Sequence, residues 1–442
     1  MSYITIADMF IQSIEKYADN PAFFDKINGE WQGKTYKDAG EIVENLASGL
    51  ASLGVQKEDK IAILSTNTSK WAYADYAITG LGAVTVTVYP TLTNPQINYI
   101  FDDSETHYAF VENKDQLSKT RSLLQKCEHM KAYILMDDSV TDEDDVINFS
   151  QLLEKGKVFK DETNFNLKAI ANTIKPDDLL TLIYTSGTTG NPKGAMLSHK
   201  NLVSNILSGR KSIHIDESDV FLSFLPLSHV FERMVGHFTG FSSGGRVYYA
   251  ESIDSVAENM GEVKPPVMAS VPRLYEKMYA KMLDKVSNDP PIRQKIFWWA
   301  IGVGKEAMQY ICKNNRPDGW LGFKFGLAEK LVFSKIKERV GGRLRFFVSG
   351  GAPLSQEIAE FFAAANIIIL EGYGLTETSP VITNNRLEHV KFGTVGQPIE
   401  GVEVKIADDG EIICRGDNVM LGYYNNEAET RESIDEEGWF HT

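Results

Sequence analysis

The sequence predicts an α/β protein made of two related lobes, each with a parallel sheet, and a small β-rich subdomain. Strand and amphipathic-helix patterns alternate through residues 1–175 and again through 176–385. Such alternation places parallel strands side by side, with helices covering both faces of the sheet. Residues 386–442 are predicted to form a β-rich subdomain. At 442 residues the chain is long enough to bury more than one hydrophobic core.

The first lobe is predicted to begin with a β-hairpin in KINGEW, because Asn28-Gly29 is a preferred two-residue turn. An amphipathic helix over 37–53 follows, and Gly54 is its expected stop. The other elements alternate in chain order: a strand in KIAILS, a helix near 69–81, a strand in AVTVTVYP, a helix from Asn94, and strands in HYAFVE and AYILMD.

The second lobe carries strand patterns in FLSFLPL, RVYYA, VMASVP, RFFVSG and IIILEGYG, with a helix predicted from about residue 230. Residues 272–340 interrupt this alternation with a largely helical insert. Beyond Gly393 the chain turns β-rich, with Asp409-Gly410 as a hairpin turn.

Composition and charge describe an ordinary globular protein. Apolar residues make up 43% of the chain and charged residues 24%. The net charge of −15 argues against nucleic acid as a partner. The N-terminus lacks a basic start followed by an apolar block, so we expect no signal peptide. Cys127, Cys312 and Cys414 show neither zinc nor disulfide spacing, which fits a reducing cytoplasm.

The densest cluster of chemistry-bearing residues is TLIYTSGTTGNPKGAMLSHKN, residues 181–201. Glycines let backbone N–H groups converge on an anion, hydroxyls add donors, and a lysine supplies a charge for phosphate oxygens. The GTPase-type loop G-x-x-x-x-G-K-[ST] is excluded, because Pro192 precedes the lysine and Gly194 follows it. The alternative is a Ser/Gly-rich connector without a ligand. The candidate phosphate-binding residues are Thr185, Ser186, Gly187, Thr188, Thr189, Gly190 and Lys193.

The stretch YTSGTTGNPKG, with SHKN after it, resembles the signature of the adenylate-forming superfamily, which includes acyl-CoA synthetases, adenylation domains of peptide synthetases and luciferases. The resemblance implies that this loop holds the β- and γ-phosphates of ATP while a carboxylate attacks the α-phosphate. It also implies that residues 1–442 form the large N-terminal, AMP-binding domain of such an enzyme, with the active site where the lobes meet.

A second stretch, LEGYGLTETSP, follows a strand and predicts a magnesium site. A carboxylate beside ATP phosphates is repelled unless a divalent cation lies between them, and Mg²⁺ accepts one or two carboxylates plus phosphate oxygens. Glu377 is therefore the expected metal ligand, helped by the Thr185 hydroxyl. The resemblance implies that Tyr373 faces adenine and Thr376 donates to the α-phosphate, with Glu371 and Gly372 beside the nucleotide. The alternative is a strand-end loop with a capping threonine.

Further candidates follow two strand patterns. In FFVSGGAPLS, the paired glycines permit a ligand to lie against bare backbone, and the resemblance implies that Gly351 and Ala352 border the adenine and the acyl carboxylate. Ser355 is equally a candidate helix N-cap. In FLPLSHVFERM, a lone histidine is more often structural, but the resemblance places His229 near the reacting groups. The implied catalytic set is Lys193, His229, Thr376 and Glu377.

Two further expectations concern residues outside the implied catalytic set. Some long-chain members of the superfamily have a gating tryptophan where this chain has Arg233, so we expect no such gate here. Instead, we expect Glu232 and Arg233 to pair with charges elsewhere. The glycine-rich stretches near the C-terminus are interpreted as framework first and function second. The residues interpreted in this way are Gly416, Met420, Gly422 and Tyr423.

The helical insert indicates which class of carboxylic acid is the substrate. SVPRLYEKMYAKMLDKV and IRQKIFWWAIGVG resemble the insert of long-chain fatty-acyl-CoA synthetases, which implies a fatty acid, ATP and CoA as substrates. A buried methylene contributes about 0.8 kcal/mol, so an apolar tunnel would select long tails. The stripe Leu274, Met278 and Met282 would line such a tunnel, although core packing is the favoured interpretation.

Residues 293–345 have an unusual charge. They contain twelve Lys or Arg and four Asp or Glu, a net of +8, together with Trp298, Trp299 and Trp320. Basic and tryptophan-rich surfaces favour anionic bilayers, so we expect a peripheral membrane contact, at the inner face of the membrane. The alternative is a basic face that covers apolar helices or meets another domain.

The implied reaction has two steps, acyl-AMP formation with release of pyrophosphate and then displacement of AMP by CoA. The chain ends at EEGWFHT, where the superfamily continues into a ribose-binding aspartate, a hinge and a C-terminal domain with a catalytic lysine. We therefore expect a C-terminal domain to be absent from this chain and its own turnover to be poor. Two alternatives stay open, a ligase that makes acyl-AMP without CoA or activates another acid, and a non-catalytic nucleotide- or acyl-binding module.

Overall fold

The computed structural model describes residues 2–120, 129–138, 145–185 and 191–442. Its strands are short, and most of them are buried. In chain order they are β1 (Pro21–Ile27), β2 (Glu30–Thr35), β3 (Lys60–Leu64), β4 (Val84–Val88), β5 (Tyr108–Val111), β6 (Ala132–Leu135), β7 (Val146–Asn148), β8 (Leu179–Thr185), β9 (Lys193–Ser198), β10 (Val220–Ser223), β11 (Arg246–Tyr249), β12 (Val267–Ser270), β13 (Phe346–Ser349), β14 (Ile368–Gly374), β15 (Val381–Asn384), β16 (Gln397–Pro398), β17 (Val402–Ile406), β18 (Ile412–Gly416), β19 (Gly422–Tyr423) and β20 (Phe440–His441).

Helices alternate with these strands over most of the described chain. They are α1 (Ile6–Lys16), α2 (Tyr36–Ser52), α3 (Ser69–Gly80), α4 (Asn94–Asp103), α5 (Lys114–Thr120), α6 (Phe149–Thr163), α7 (Leu167–Ala171), α8 (His199–Ser212), α9 (Thr239–Ser242), α10 (Val256–Val263), α11 (Pro272–Ser287), α12 (Pro291–Glu306), α13 (Met308–Ile311), α14 (Gly319–Ala328), α15 (Ser334–Glu338), α16 (Gln356–Ala364) and α17 (Glu427–Ser433), with π-helices at Glu232–Phe238 and Glu329–Phe333 and a 3₁₀ turn at Thr376–Thr378.

The largest sheet has eight strands in the order β19-β9-β8-β4-β3-β5-β6-β7. Strands β3 to β8 run parallel, and β9 and β19 are antiparallel to their neighbours. The central strands β4 and β5 are buried along their whole length because helices cover both faces of the sheet. On one face α2 and α6 touch through their backbones: a side chain at Gly156 would come within 1.8 Å of the Asn45 carbonyl oxygen.

Three smaller sheets complete the α/β fold that the sequence predicts. One has the order β10-β11-β1-β2, another β12-β13-β14-β15-β16, and the third β17-β18-β20. In the second, β12, β13 and β14 are parallel, and β15 and β16 add antiparallel edges. The predicted hairpin is the turn between β1 and β2, where Asn28 and Gly29 have positive φ angles of 52° and 83°.

The strand pairing divides the chain differently from the predicted lobes. Strands β8 and β9 belong to the predicted second lobe, 176–385, but extend the sheet of residues 1–175. Conversely, β1 pairs with β11, more than 200 residues later. The short strand β19 leaves the predicted subdomain, 386–442, to pair with β9. Alternation along the chain predicts strands but not their partners, because pairing depends on long-range register.

The helical insert lies over the second of these sheets. Helix α12 packs on α14 and on α16, and a side chain at Gly304 would come within 2.0 Å of the Ala364 carbonyl oxygen, so α12 and α16 are in backbone contact. The predicted stripe Leu274, Met278 and Met282 packs against the hydrophobic core. Ser355 occupies the N-cap position of α16, but its side chain makes no capping hydrogen bond. Among the described residues, no helix combines the length and apolar character that crossing a bilayer requires.

A buried ion pair joins the first π-helix to α3. The Arg233 guanidinium donates from Nε to Asp75 Oδ2 over 2.9 Å and from a terminal nitrogen to Asp75 Oδ1, and it also donates to the Thr181 hydroxyl. The Thr85 hydroxyl donates to Asp75 as well. Both charged side chains are at most 1% exposed. The prediction that Arg233 pairs with a distant charge is confirmed.

Replacing Asp75 by asparagine should lower the free energy of unfolding by about 3–5 kcal/mol, because it leaves the Arg233 charge buried without a counter-ion. Urea unfolding of the purified protein measures this. The matched control is Glu427→Gln, which breaks an exposed pair with Arg431 and should change the unfolding free energy very little. Equal effects of the two substitutions would contradict the assignment.

Candidate active site

A cavity of about 420 Å³ lies at the carboxyl ends of β8, β13 and β14. In parallel sheets this edge is where loops converge and ligands bind. The cavity therefore lies between the eight-stranded sheet and the β12–β16 sheet. Its walls are formed by Thr185, Lys193, Gly209, Ile213, His229, Phe231, Met234, Val235, Thr239, Val348, Gly350, Gly351, Gly372, Tyr373, Gly374, Leu375, Thr376, Glu377, Pro380, Val381, Asn384 and Tyr423.

Most of the predicted site residues that the structure describes come together on these walls. They are Thr185, Lys193, His229, Gly351, Gly372, Tyr373, Thr376 and Glu377. The loop residues Ser186, Gly187, Thr188, Thr189 and Gly190 lie outside the described residues.

Two predicted residues are not on the cavity wall. Ala352 is exposed beside it. Glu371 is buried within β14, where burial raises the pKa of its carboxyl and backbone N–H groups of Leu354 and Gly393 partly offset that rise. Gly351 has a φ of 80°, so its place on the wall requires a glycine backbone. A shared sequence motif placed Glu371 near the site, but it did not predict which way the side chain points.

The Glu377 carboxylate lies at the centre of the polar half of the cavity. Its Oε1 accepts hydrogen bonds from the Thr185 hydroxyl over 3.3 Å and from the Tyr423 hydroxyl over 2.9 Å. Its backbone carbonyl accepts from Met420 N–H. Burial, followed by the Glu377 charge, raises the pKa of Tyr423, so this hydroxyl stays a donor. Tyr423, interpreted from sequence as framework first, thus contacts the predicted metal ligand.

The donor set fits Mg²⁺ bound together with phosphates. Among the described residues, no group of three or more His, Cys, Asp or Glu side chains is arranged to hold a metal ion. Mg²⁺ does not require one, because it is usually bound by one or two carboxylates plus substrate phosphates and water. Glu377 and the Thr185 hydroxyl supply hard oxygen donors on one wall of the cavity.

Lys193 is paired with a carboxylate that sequence reasoning missed. Its Nζ contacts Glu429 Oε2 and lies 5.4 Å above the centre of the Tyr423 ring. Glu429 is on α17, which follows β19, so it reaches the cavity through the long-range pairing of β19 with β9. No local signal in the sequence indicates this contact. In the state described, the predicted phosphate-binding charge is neutralised.

His229 is neutral in this environment. Burial lowers the pKa of its imidazole, and its Nδ1 accepts a hydrogen bond from Phe231 N–H over 3.1 Å. A neutral imidazole whose Nδ1 accepts carries its proton on Nε2. The residue therefore offers a hydrogen-bond donor to the cavity without adding a positive charge.

The other half of the cavity is apolar. Met234 and Val235 come from the π-helix, Ile213 directly follows α8, and Val348 and Val381 come from β13 and β15. π-Helical turns concentrate at functional sites, because the extra residue redirects side chains. The sequence predicted a helix from about residue 230 but gave no sign of the π turn. A carboxylic acid with an apolar tail matches this polar-to-apolar division.

Glu232, on the same π-helix, contradicts the prediction that it pairs with a charge. Both carboxyl oxygens are buried, and no positively charged partner for them is found among the described residues. Burial raises the pKa of Glu232 to about 8, an effect that the Ser223 hydroxyl partly offsets. The side chain is accordingly protonated at neutral pH.

The fold and the cavity define an AMP-binding domain of the adenylate-forming type. The family model described as AMP-binding enzyme matches residues 10–424, and the chain belongs to this family. Among curated relatives, the long-chain-fatty-acid–CoA ligase FadD15 of Mycobacterium tuberculosis is 34% identical, over 94% of this chain and 68% of its own length. The long-chain-fatty-acid–CoA ligase ACSBG2 of Xenopus laevis is 32% identical, over 99% of this chain and 60% of its length.

Solved structures show the same fold. The N-terminal domain of FACL13 from Mycobacterium tuberculosis has a TM-score of 0.74 at 22% identity, covering 100% of this chain and 96% of that one. The anthranilate CoA ligase AuaEII, in complex with anthranoyl-AMP, has a TM-score of 0.76 at 19% identity, covering 99% of this chain and 77% of that one. The chain thus spans the length of an N-terminal domain and 60% to 68% of the two curated relatives.

Replacing Glu429 by glutamine should strengthen binding of magnesium and ATP, because it frees the Lys193 ammonium for phosphate oxygens. An ion pair this exposed stabilises modestly, so we expect the Kd to fall about two- to fivefold. Isothermal titration calorimetry measures it. Glu427→Gln, on the same helix but paired with Arg431, is the control and should leave the Kd unchanged. An unchanged or higher Kd for Glu429→Gln would contradict the role of this pair.

Glu232 predicts a pH dependence of stability. Because its folded pKa of about 8 is above its ordinary value of 4.5, folding keeps a proton that the unfolded chain loses, and stability falls as pH rises between these values. Glu232→Gln removes this loss. The difference in unfolding free energy, variant minus wild type, should therefore grow from about pH 4.5, by up to about 1.4 kcal/mol per pH unit, and level off above about pH 8. Urea unfolding at pH 5, 6, 7, 8 and 9 measures it, and a difference independent of pH would refute it.

Proposed function

We propose that the protein activates a long-chain fatty acid in two steps. The acid carboxylate attacks the α-phosphorus of ATP to give acyl-AMP and pyrophosphate, and the thiol of CoA then displaces AMP to give acyl-CoA. The observation that carries the proposal is a single cavity with a carboxylate–hydroxyl pair, Glu377 and Thr185, at one end and an apolar compartment at the other. The relatives named long-chain-fatty-acid–CoA ligases support the substrate class.

The polar wall neutralises and aligns the phosphates in this proposal. Phosphoryl transfer depends mainly on positioning and charge neutralisation. Glu377 and Thr185 would hold Mg²⁺, which screens the negative charges of the phosphates when bound. Lys193 contributes a second positive charge once it leaves Glu429, and the Thr376 hydroxyl, on the cavity wall, donates to the α-phosphate. The loop 186–190 remains the predicted holder of the β- and γ-phosphates.

The acid is oriented by the opposite wall. Its carboxylate lies beside His229, where an Nε2 proton donates a hydrogen bond without forming an ion pair that would weaken the nucleophile. Its tail occupies the compartment of Met234, Val235 and Val348. Tyr373 and Gly351 border the adenosine side. The thiol step rests on the relatives' names, and its dependence on a further C-terminal domain stays a prediction.

The proposed location is the cytoplasm. Cys312 and Cys414 are free thiols, which suits a reducing compartment. The predicted contact of residues 293–345 with the inner face of the membrane is part of this proposal.

The test is pyrophosphate release from ATP across acids of graded chain length, with mass spectrometry of products with and without CoA. Long acids should react fastest, and acyl-CoA should appear only when CoA is present. Glu377→Gln should reduce pyrophosphate release about 100-fold or more and raise the magnesium concentration needed, while the exposed Glu388→Gln should match wild type. Accumulation of acyl-AMP despite CoA would favour the CoA-independent ligase, and ATP binding without pyrophosphate release would favour the non-catalytic module.

A further inference from the structure

Exposed apolar side chains are concentrated on the helical insert. Of the thirteen large hydrophobic residues that are exposed in the described chain, seven lie between residues 292 and 331, including all four aromatic ones. Scattered exposed apolar residues need no explanation, but these seven lie on neighbouring helices, α12, α14 and the π-helix that follows it, and such a group is typical of an interaction surface. We name these seven the docking face: Ile292, Trp298, Trp299, Trp320, Phe323, Leu327 and Leu331.

Four of the seven form one stripe. Trp320, Phe323, Leu327 and Leu331 follow each other at intervals of three or four residues along α14 and the π-helix that continues it, the spacing of one helix face. Trp320 is 73% exposed and Phe323 is 64% exposed, and their rings stack with centres 5.4 Å apart. The buried side of the same helices carries Phe325, Ala328 and Phe333, so the exposed stripe is not the face that attaches α14 to the domain.

The charge around the docking face is opposite to that of the rest of the protein. Residues 293–345 have a net charge of +8 in a chain of −15, which leaves −23 on all other residues. Lys330 and Lys335 are exposed beside the stripe, and no ion pair of either is found among the described residues. Lys324 and Lys337, by contrast, are paired with Glu306 and Glu329. Two exposed lysines without an ion pair in the described chain therefore lie close in sequence to the exposed stripe.

We propose that the docking face binds the surface of an anionic lipid bilayer. Tryptophan and phenylalanine at the level of lipid headgroups, flanked by lysines, are the combination that interfacial helices use. Anionic headgroups attract this face and repel the acidic remainder, so the charges also select one orientation. A second copy that meets this one through the same face is a poorer occupant, because both faces belong to segments with a net charge of +8.

The proposal deepens the membrane contact included in the proposed function, on which it rests, and it uses residues outside the cavity wall. It has one consequence for the cavity. Helix α12 of the docking face packs on α16, which begins directly after the loop of Gly350 and Gly351 on the cavity wall. Helices α12 and α16 thus connect the docking face to the cavity wall.

The experiment is vesicle flotation of the purified protein. Vesicles of phosphatidylcholine with 30% phosphatidylglycerol are compared with vesicles of phosphatidylcholine alone. Wild type should float with the anionic vesicles and bind the neutral ones at least tenfold less. The double variant Trp320→Ser, Phe323→Ser should lose most of the binding, whereas Ile406→Ser, equally exposed but outside the docking face, should keep it.

Charge reversal tests the electrostatic part separately. Lys330→Glu with Lys335→Glu should reduce the partition coefficient roughly twentyfold or more, because each basic residue near an anionic surface contributes a severalfold factor. Lys114→Glu with Lys155→Glu makes the same charge change at exposed sites elsewhere and should have a much smaller effect. Melting temperatures of all variants verify that each is folded.

Equal flotation of wild type and both docking-face variants would overturn the proposal. So would loss of a dimer, rather than of vesicle binding, in the serine variant, since the occupant would then be a second copy. Pyrophosphate release from a water-soluble acid without vesicles should be unchanged in these variants. A failure of the proposed reaction would abolish that signal in wild type too, so the two failures are distinguishable.

Discussion

Hydrogen bonds to the buried residue Glu377 join the three parts of the site. Thr185 approaches it from the end of β8, Tyr423 from β19, and its own backbone carbonyl accepts from Met420. The three contacts join the eight-stranded sheet, the β12–β16 sheet and the C-terminal segment. A buried carboxylate is stable only when it is well hydrogen-bonded, so the fold brings these elements together at the point where it also presents a metal ligand.

The sequence predicted the parts of the site that lie in continuous motifs. Thr185, Thr376 and Glu377 follow strands in recognisable stretches, and the ends of parallel strands meet at one edge, so their convergence follows from local patterns. Glu429 and Tyr423 reach the site only because β19 pairs with β9. That register is a long-range property, which no neighbouring residue encodes.

For the fold, too, the sequence predicted the local elements but not the long-range contacts. Hairpins, helices and the helical insert follow from periodicity and turn residues, whereas strand partners do not. Asp75, the counter-ion of Arg233, lies inside a helix whose other residues are almost all apolar or small, and only the tertiary contact shows why a charge is present there. The π turn that brings Glu232 inward likewise has no marker in the sequence.

Under the proposed function, the pairing of Lys193 with Glu429 would affect which anions the cavity accepts. A bare ammonium beside Tyr423 would attract any small anion in the cell, including free phosphate. With an internal counter-ion in place, an anion must offer more than one contact to displace it. A polyphosphate chain does so along its length, and a single phosphate does not. If the proposed function holds, this carboxylate would favour intact triphosphates over single phosphates.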